Sequence, residues 1–197
     1  IKPFYLNFYL NLSKLNFKKN IFNNNILQSL FEMKNFYNRN LSSRIHLDID
    51  NLTKSNLFNS SKIFINLKNG AIDFNNTIFN GNIGNLNLIN SSIKNAKDDL
   101  IFNGDFVYKI FSESEFYRKF QIGKKNRKKI NNIYFNLEYN LTKKNFEISN
   151  LIFEPGTSKD ERELSKSLND YNNDAKNYTW INFRNFVKKI FINYYEG

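Results

Sequence analysis

The stretch Ile63-Phe64-Ile65-Asn66-Leu67-Lys68-Asn69-Gly70-Ala71-Ile72-Asp73-Phe74 decides how the chain is read. Ile63, Ile65 and Leu67 alternate with Phe64, Asn66 and Lys68, and Ile72 and Phe74 resume the alternation after Asn69-Gly70. Successive strand side chains point to opposite faces, so this period of two predicts strands with one apolar face. Asn-Gly between alternating runs predicts a tight hairpin, because both central residues of a type I′ turn need positive φ.

The same period extends outward. Ile45, Leu47 and Ile49 alternate with Arg44, His46 and Asp48 upstream, and Phe4, Leu6, Phe8, Leu10 and Leu12 share one parity in a long, half-buried strand. Downstream, Leu86 and Leu88 follow Gly81 and Gly84. Leu100, Phe102, Phe106, Tyr108 and Ile110 form the next run, with Gly104 in phase as a bulge or a close approach. Ile133, Phe135, Leu137 and Tyr139 alternate again, and Phe146, Ile148 and Ile152 close the series.

Helical spacings are fewer. Ile26, Leu27, Leu30, Met33 and Tyr37 predict a short helix near 24–38. Ser112 caps a short one carrying Phe116, Tyr117 and Phe120, and Leu164, Leu168 and Tyr171 allow a weak one. Thr179 caps a terminal helix whose Trp180, Phe183, Val187, Ile190, Phe191 and Tyr194 form one stripe. The chain is thus read as mainly β: a long antiparallel meander forming an elongated, curved, groove-like sheet with short edge helices. Residues 1–154 are the β-rich groove segment, 155–178 a polar linker, and 179–195 a C-terminal amphipathic helix.

Composition constrains the chemistry. The 197 residues carry 29 Lys plus Arg against 18 Asp plus Glu, a net charge of +11, with no Cys and one His. No disulfide framework, Cys zinc site or thiol nucleophile is available. His46 has no second His to complete a metal site, and Asp48-Ile49-Asp50 lacks the continuation of a calcium loop. Gly81-Asn82-Ile83-Gly84 lacks a phosphate cradle, and no Gly-x-Ser-x-Gly elbow occurs. A non-catalytic protein without cofactor or metal is expected. Asn is used 38 times, as AT-rich coding favours.

Two features remain. Arg118, Lys119, Lys124, Lys125, Arg127, Lys128 and Lys129 form a basic segment beside Phe116, Tyr117 and Phe120, suited to an anionic membrane surface or to nucleic acid. The second is the long run of apolar strand faces, which would suit acyl chains if left uncovered.

Residues 63–154 resemble the C-terminal region of AsmA-like proteins, the TamB- and YhdP-related group, of the type found in AT-rich alphaproteobacteria. The resemblance is carried by Leu67-Lys68-Asn69-Gly70, Gly81-Asn82-Ile83-Gly84, Asn90-Ser91-Ser92 and Phe102-Asn103-Gly104-Asp105-Phe106. It continues through Phe116 to Ile122, Asn126-Arg127, the strand Ile133 to Asn140, and Trp180-Ile181-Asn182-Phe183. It implies a periplasmic body held to the inner membrane by an anchor this chain lacks. That body would carry phospholipid along a hydrophobic β-groove in support of outer-membrane assembly. Its partners would be phospholipids, an anionic membrane surface, the rest of a parent chain and other envelope proteins. By strand parity the groove wall is Ile63, Ile65, Leu67, Ile72, Phe74, Leu86, Leu88, Phe102, Phe106, Tyr108, Ile133, Phe135, Leu137 and Tyr139. The alternatives are an RNA-associated basic protein of ribosomal type and a structural assembly module.

Overall fold

A computed structural model describes residues 4–16, 40–96, 99–143, 145–158, 161–172 and 179–196. The helix expected near 24–38 lies outside the described residues.

The large sheet is built from β1 (Phe4–Leu12), β3 (Leu41–Ile49), β5 (Ser60–Lys68), β6 (Ala71–Asp73), β7 (Ile78–Asn80), β8 (Gly84–Ala96), β9 (Asp99–Ile110), β10 (Asn132–Asn140) and β11 (Asn145–Glu154). Its order is β1-β3-β5-β6-β8-β9-β10-β11, with β7 also lying between β5 and β8. The short strands β2 (Leu15–Asn16) and β4 (Leu52–Thr53) pair parallel, and β12 (Thr157–Ser158) pairs antiparallel with β13 (Tyr195–Glu196).

The mainly-β expectation holds, and from β3 onward consecutive strands meander antiparallel. The sheet is nonetheless mixed, because β1 runs parallel to β3, pairing Phe4 with Leu41 through Leu12 with Ile49. A parallel neighbour cannot be reached by a hairpin, so a pure meander does not predict β1 beside β3. It is also not half-buried. With β3 as its one strand neighbour among the described residues, it leaves Phe4, Tyr5, Phe8, Tyr9 and Leu10 between 47% and 63% exposed.

The turn chemistry reads as expected where it is most explicit. Asn69 and Gly70 have φ of 54° and 79° and join Lys68 to Ala71 as a two-residue hairpin. Between β6 and β7 the loop is stitched into the sheet by side chains. The Thr77 hydroxyl accepts from the Phe64 N–H (3.1 Å), and the Ser91 hydroxyl accepts from the Phe74 N–H (2.6 Å). The two short strands therefore act as one interrupted strand, whose missing ladder bonds come from hydroxyls.

Two bulges redirect side chains. The extra residue of the β8/β9 pair lies in β8, between Leu88 and Asn90, not at Gly104, where β9 stays in register with β10. A second shift, where Asn150 has φ 50°, turns Leu151 and Phe153 inward and leaves Ile152 on the polar face, 56% exposed. Strict parity from Ile148 places Ile152 inside; an added residue inverts every later position.

Three helices gather over β8 to β11: α1 (Glu113–Lys119), α2 (Glu161–Asn172) and α3 (Trp180–Asn193). Ser112 caps α1 and Thr179 caps α3, each accepting a backbone N–H three residues on. Leu164, Leu168 and Tyr171 of α2 are buried together with Phe186, Ile190 and Phe191 of α3. This core also takes in Phe116, Tyr117, Phe120, Ile122, Ile130 and Phe153. A second cluster, Ile65, Leu67, Ile72, Ile93 and Leu100, is built of strand residues alone among the described residues.

Candidate functional site

Cross-strand register places the predicted wall residues together. Leu86, Tyr108 and Ile133 lie side by side on β8, β9 and β10, as do Leu88, Phe106 and Phe135. Leu137 pairs with Gly104, and Tyr139 with Phe102. Phe102 pairs with Ile93, Ile93 with Ile72, and Ile72 with Leu67, whose strand also carries Ile65 and Ile63 on that face. Phe74 lies just past β6 and joins through its ring, 5.8 Å from that of Phe102. All the predicted positions thus share one face of one sheet, as alternation demands once the pairing is known.

That face has three zones. Near α1 to α3 it is roofed, and Leu86, Tyr108 and Ile133 belong to the helix-covered core. Tyr108 is buried with its hydroxyl unpartnered among the described residues, and burial pushes its pKa up to about 12. At the far end Ile63, Ile65, Leu67, Ile72, Phe74 and Phe102 belong to the strand-only cluster. Between them lies a band of Leu88, Phe106, Phe135 and Leu137 centred on Gly104. The Phe106 and Phe135 rings stack at 5.2 Å with planes 8° apart. A Cβ at Gly104 would come within 2.9 Å of Leu88 Cδ1, Phe102 Cζ and Phe106 Cε2, so the missing side chain lets three neighbours close over the strand. Close approach, not a bulge, explains this glycine.

Parity reasoning left several residues of this face unassigned. Ile45 and Leu47 of β3 continue it through their pairing with Ile65 and Ile63, and Ile93 and Leu100 extend it beyond the β8 bulge. Ser43 and Ser61 also lie in phase with it, each with a buried hydroxyl unpartnered among the described residues. Their phase with Ile45 and Ile63 was the available signal.

The opposite face is polar and cross-linked. Asn90 donates to Asp105 at 3.2 Å, Asn136 donates to the same carboxylate, and Asn150 donates to Asn136, a ladder across β8 to β11. At the other end His46 stacks on Phe64 at 4.2 Å, meets the Tyr9 ring edge-on at 4.9 Å, and has Nε2 3.0 Å from Asp48. The Tyr9 hydroxyl donates to Asp48 at 2.6 Å. That bond, ahead of the nearby His46 and Lys62, holds the Asp48 carboxyl below its usual range.

The basic segment is partly committed to the fold. Arg118 pairs with Glu115, and Lys119 lies 5.4 Å over the Trp180 ring. Arg127 Nε donates to the Ile122 carbonyl (3.1 Å), and its guanidinium lies over Tyr117. Lys128 Nζ donates to the Tyr195 carbonyl (2.6 Å), while Tyr195 donates to the Lys129 carbonyl. Arg118, Lys124, Lys125, Arg127 and Lys129 are exposed. Four of the seven cations thus also contact groups of the fold.

Among the described residues no group of three or more His, Asp or Glu could hold a metal ion, and no helix is long and apolar enough to cross a membrane. Comparison with protein-family models finds no match, and comparisons with curated proteins and with solved structures find none either.

Proposed function

We propose that the apolar sheet face binds the acyl chains of phospholipid, and that the chain is a segment of a periplasmic AsmA-like lipid-transfer protein serving outer-membrane assembly. The observation that carries the reading is the shared face. Aliphatic and aromatic side chains from β3 to β11 form one continuous surface across a single sheet, and Phe74, Phe102, Phe135, Leu137 and Tyr139 on it are only half-buried. Acyl chains need apolar area and little directional bonding, which such a surface supplies. The helix cluster would close one end of the path, headgroups would stay at the polar rim, and Lys124, Lys125 and Lys129 would meet an anionic membrane surface.

The test is photo-crosslinking of the full chain with a diazirine-bearing phospholipid in vesicles. Labelling should map to the band around Phe102, Phe135 and Leu137. Phe135→Asp, chosen because the ring is half-buried, should lower labelling by about tenfold or more, since a buried carboxylate opposes an acyl chain. Unchanged labelling in a folded Phe135→Asp protein, or labelling confined to the helices, would overturn the reading. A steeply salt-dependent affinity for RNA with no lipid labelling would point instead to nucleic acid.

A further inference from the structure

We infer that β1 is a self-association edge, at which a second copy of this chain adds its own β1 antiparallel and continues the sheet. The backbone supplies the first argument. The Phe4 N–H donates to the Asn40 carbonyl at 2.8 Å, and the Leu12 carbonyl accepts from the Asp50 N–H at 3.0 Å. In a parallel ladder alternate residues make both bonds to the same neighbour. Phe4, Leu6, Phe8, Leu10 and Leu12 therefore bond to β3, and Tyr5, Asn7, Tyr9 and Asn11 turn their N–H and C=O groups to the outer edge.

The side chains supply the second. Natural edges are protected by lysine, proline, bulges or short length. Over its nine residues, Phe-Tyr-Leu-Asn-Phe-Tyr-Leu-Asn-Leu, β1 has no charge, no proline and no bulge against β3. Half of the ten large hydrophobic residues exposed among the described residues, Phe4, Tyr5, Phe8, Tyr9 and Leu10, lie on this one strand. The opposite edge is treated differently. Asn172 of α2 donates to the Ile148 carbonyl and accepts from the Ile148 N–H, both at 3.0 Å, so a side-chain amide fills the place of a further strand on β11.

Self-complementarity selects the occupant. The repeat Phe-Tyr-Leu-Asn is self-complementary when two copies run antiparallel about a dyad at Phe8. Phe8 then faces Phe8, Leu6 faces Leu10 and Phe4 faces Leu12 on the apolar face, while Asn7 faces Tyr9 and Tyr5 faces Asn11 on the polar face. The outward-facing residues fall opposite one another, as hydrogen-bonded pairs require, and the nine paired residues carry no charge. A dyad normal to the sheet keeps both apolar faces on the same side, so the interface is isologous and closed. This surface does not depend on the lipid reading.

The absence of cysteine makes the test clean. Sedimentation of the full chain over a concentration series should show a species of twice 23.5 kDa. Under mild oxidation Phe8→Cys should form a disulfide-linked dimer, since non-hydrogen-bonded antiparallel partners sit at about 4.5 Å between Cα atoms, within disulfide range. Leu6→Cys should not, because the two copies of that residue would lie about 13 Å apart along the strands. Asn7→Pro removes an outward donor without touching the bonds to β3, and should weaken association by about tenfold or more with the circular dichroism unchanged. A monomer at every concentration would overturn the proposal, and so would a dimer in which Leu6→Cys couples as readily as Phe8→Cys. A monomer that instead captures a strand from another protein falls under the first of these outcomes.

Discussion

The two ends of the sheet solve the same problem differently. At β8 to β11 part of the apolar face is roofed by three helices, and Asn172 occupies the β11 edge. From β5 to β9 a second buried cluster is made of strand side chains among the described residues, and beyond it the β1 edge carries exposed Phe, Tyr and Leu. An apolar strand face needs a cover, and an edge needs either a partner or a block. The roofed end has both within the chain. The β1 edge, among the described residues, has neither, which makes it the end where a partner would act.

The largest effect should come from the roofed end. Phe191 is 1% exposed and packs against Phe116, Tyr117, Phe153 and Tyr195. Phe191→Ala should lower unfolding free energy by about 3–5 kcal/mol in urea titrations. Ile72→Ala tests the other end. Ile72 is as buried as Phe191, so the loss should be about 2–5 kcal/mol. A loss near zero would mean that the strand-only cluster contributes little and that the two ends differ in kind.

Alkali should strike the roofed end first. Burial raises Tyr108 and Tyr117 to about 12. Between pH 10 and 12 the unfolded chain releases protons that the native chain keeps, so stability falls as pH rises through that window. Tyr108→Phe should flatten the decline, because it removes a buried hydroxyl that has no partner among the described residues. An unchanged alkaline slope in that variant would count against the closed core around it.

Smaller effects follow. Asn172→Ala should cost about 1–2 kcal/mol by freeing the Ile148 N–H and C=O, with hydrogen exchange rising at Ile148. Gly104→Ala should cost about 1 kcal/mol net, since crowding against Leu88, Phe102 and Phe106 outweighs the gain from replacing a strand glycine. The smallest change is expected in acid at the β1 end. The Asp48 carboxyl is lowered chiefly by the Tyr9 hydroxyl, so its contribution is present above the ordinary carboxylate range and is lost as pH falls through its native value. Tyr9→Phe should shift the acid unfolding midpoint slightly upward. An equal shift from a tyrosine substituted elsewhere would show that the contact does not matter.

Much of the architecture was legible because alternation is local. Which of Ile63, Ile65, Leu67, Phe102, Phe106, Ile133 and Phe135 share a face follows from period two once strands pair, and the positive φ pair at Asn69-Gly70 follows from side-chain sterics. Parity failed at Ile152 because a bulge adds one residue without a marker in a chain where Asn is everywhere. The partners of four of the seven cations, Glu115, Trp180, the Ile122 carbonyl and the Tyr195 carbonyl, are not legible in the basic run, because they are set by the fold of the loop and of the C-terminal segment far along the chain.

By itself, then, the amino-acid order determined the strands, their apolar parity, two helix caps and one hairpin, all consequences of backbone sterics and neighbouring side chains. Tertiary structure decided which part of the apolar face is roofed, that β1 joins parallel at an edge, and which groups the cations of the basic segment contact. Those outcomes depend on contacts between residues remote in sequence, and no local period encodes them.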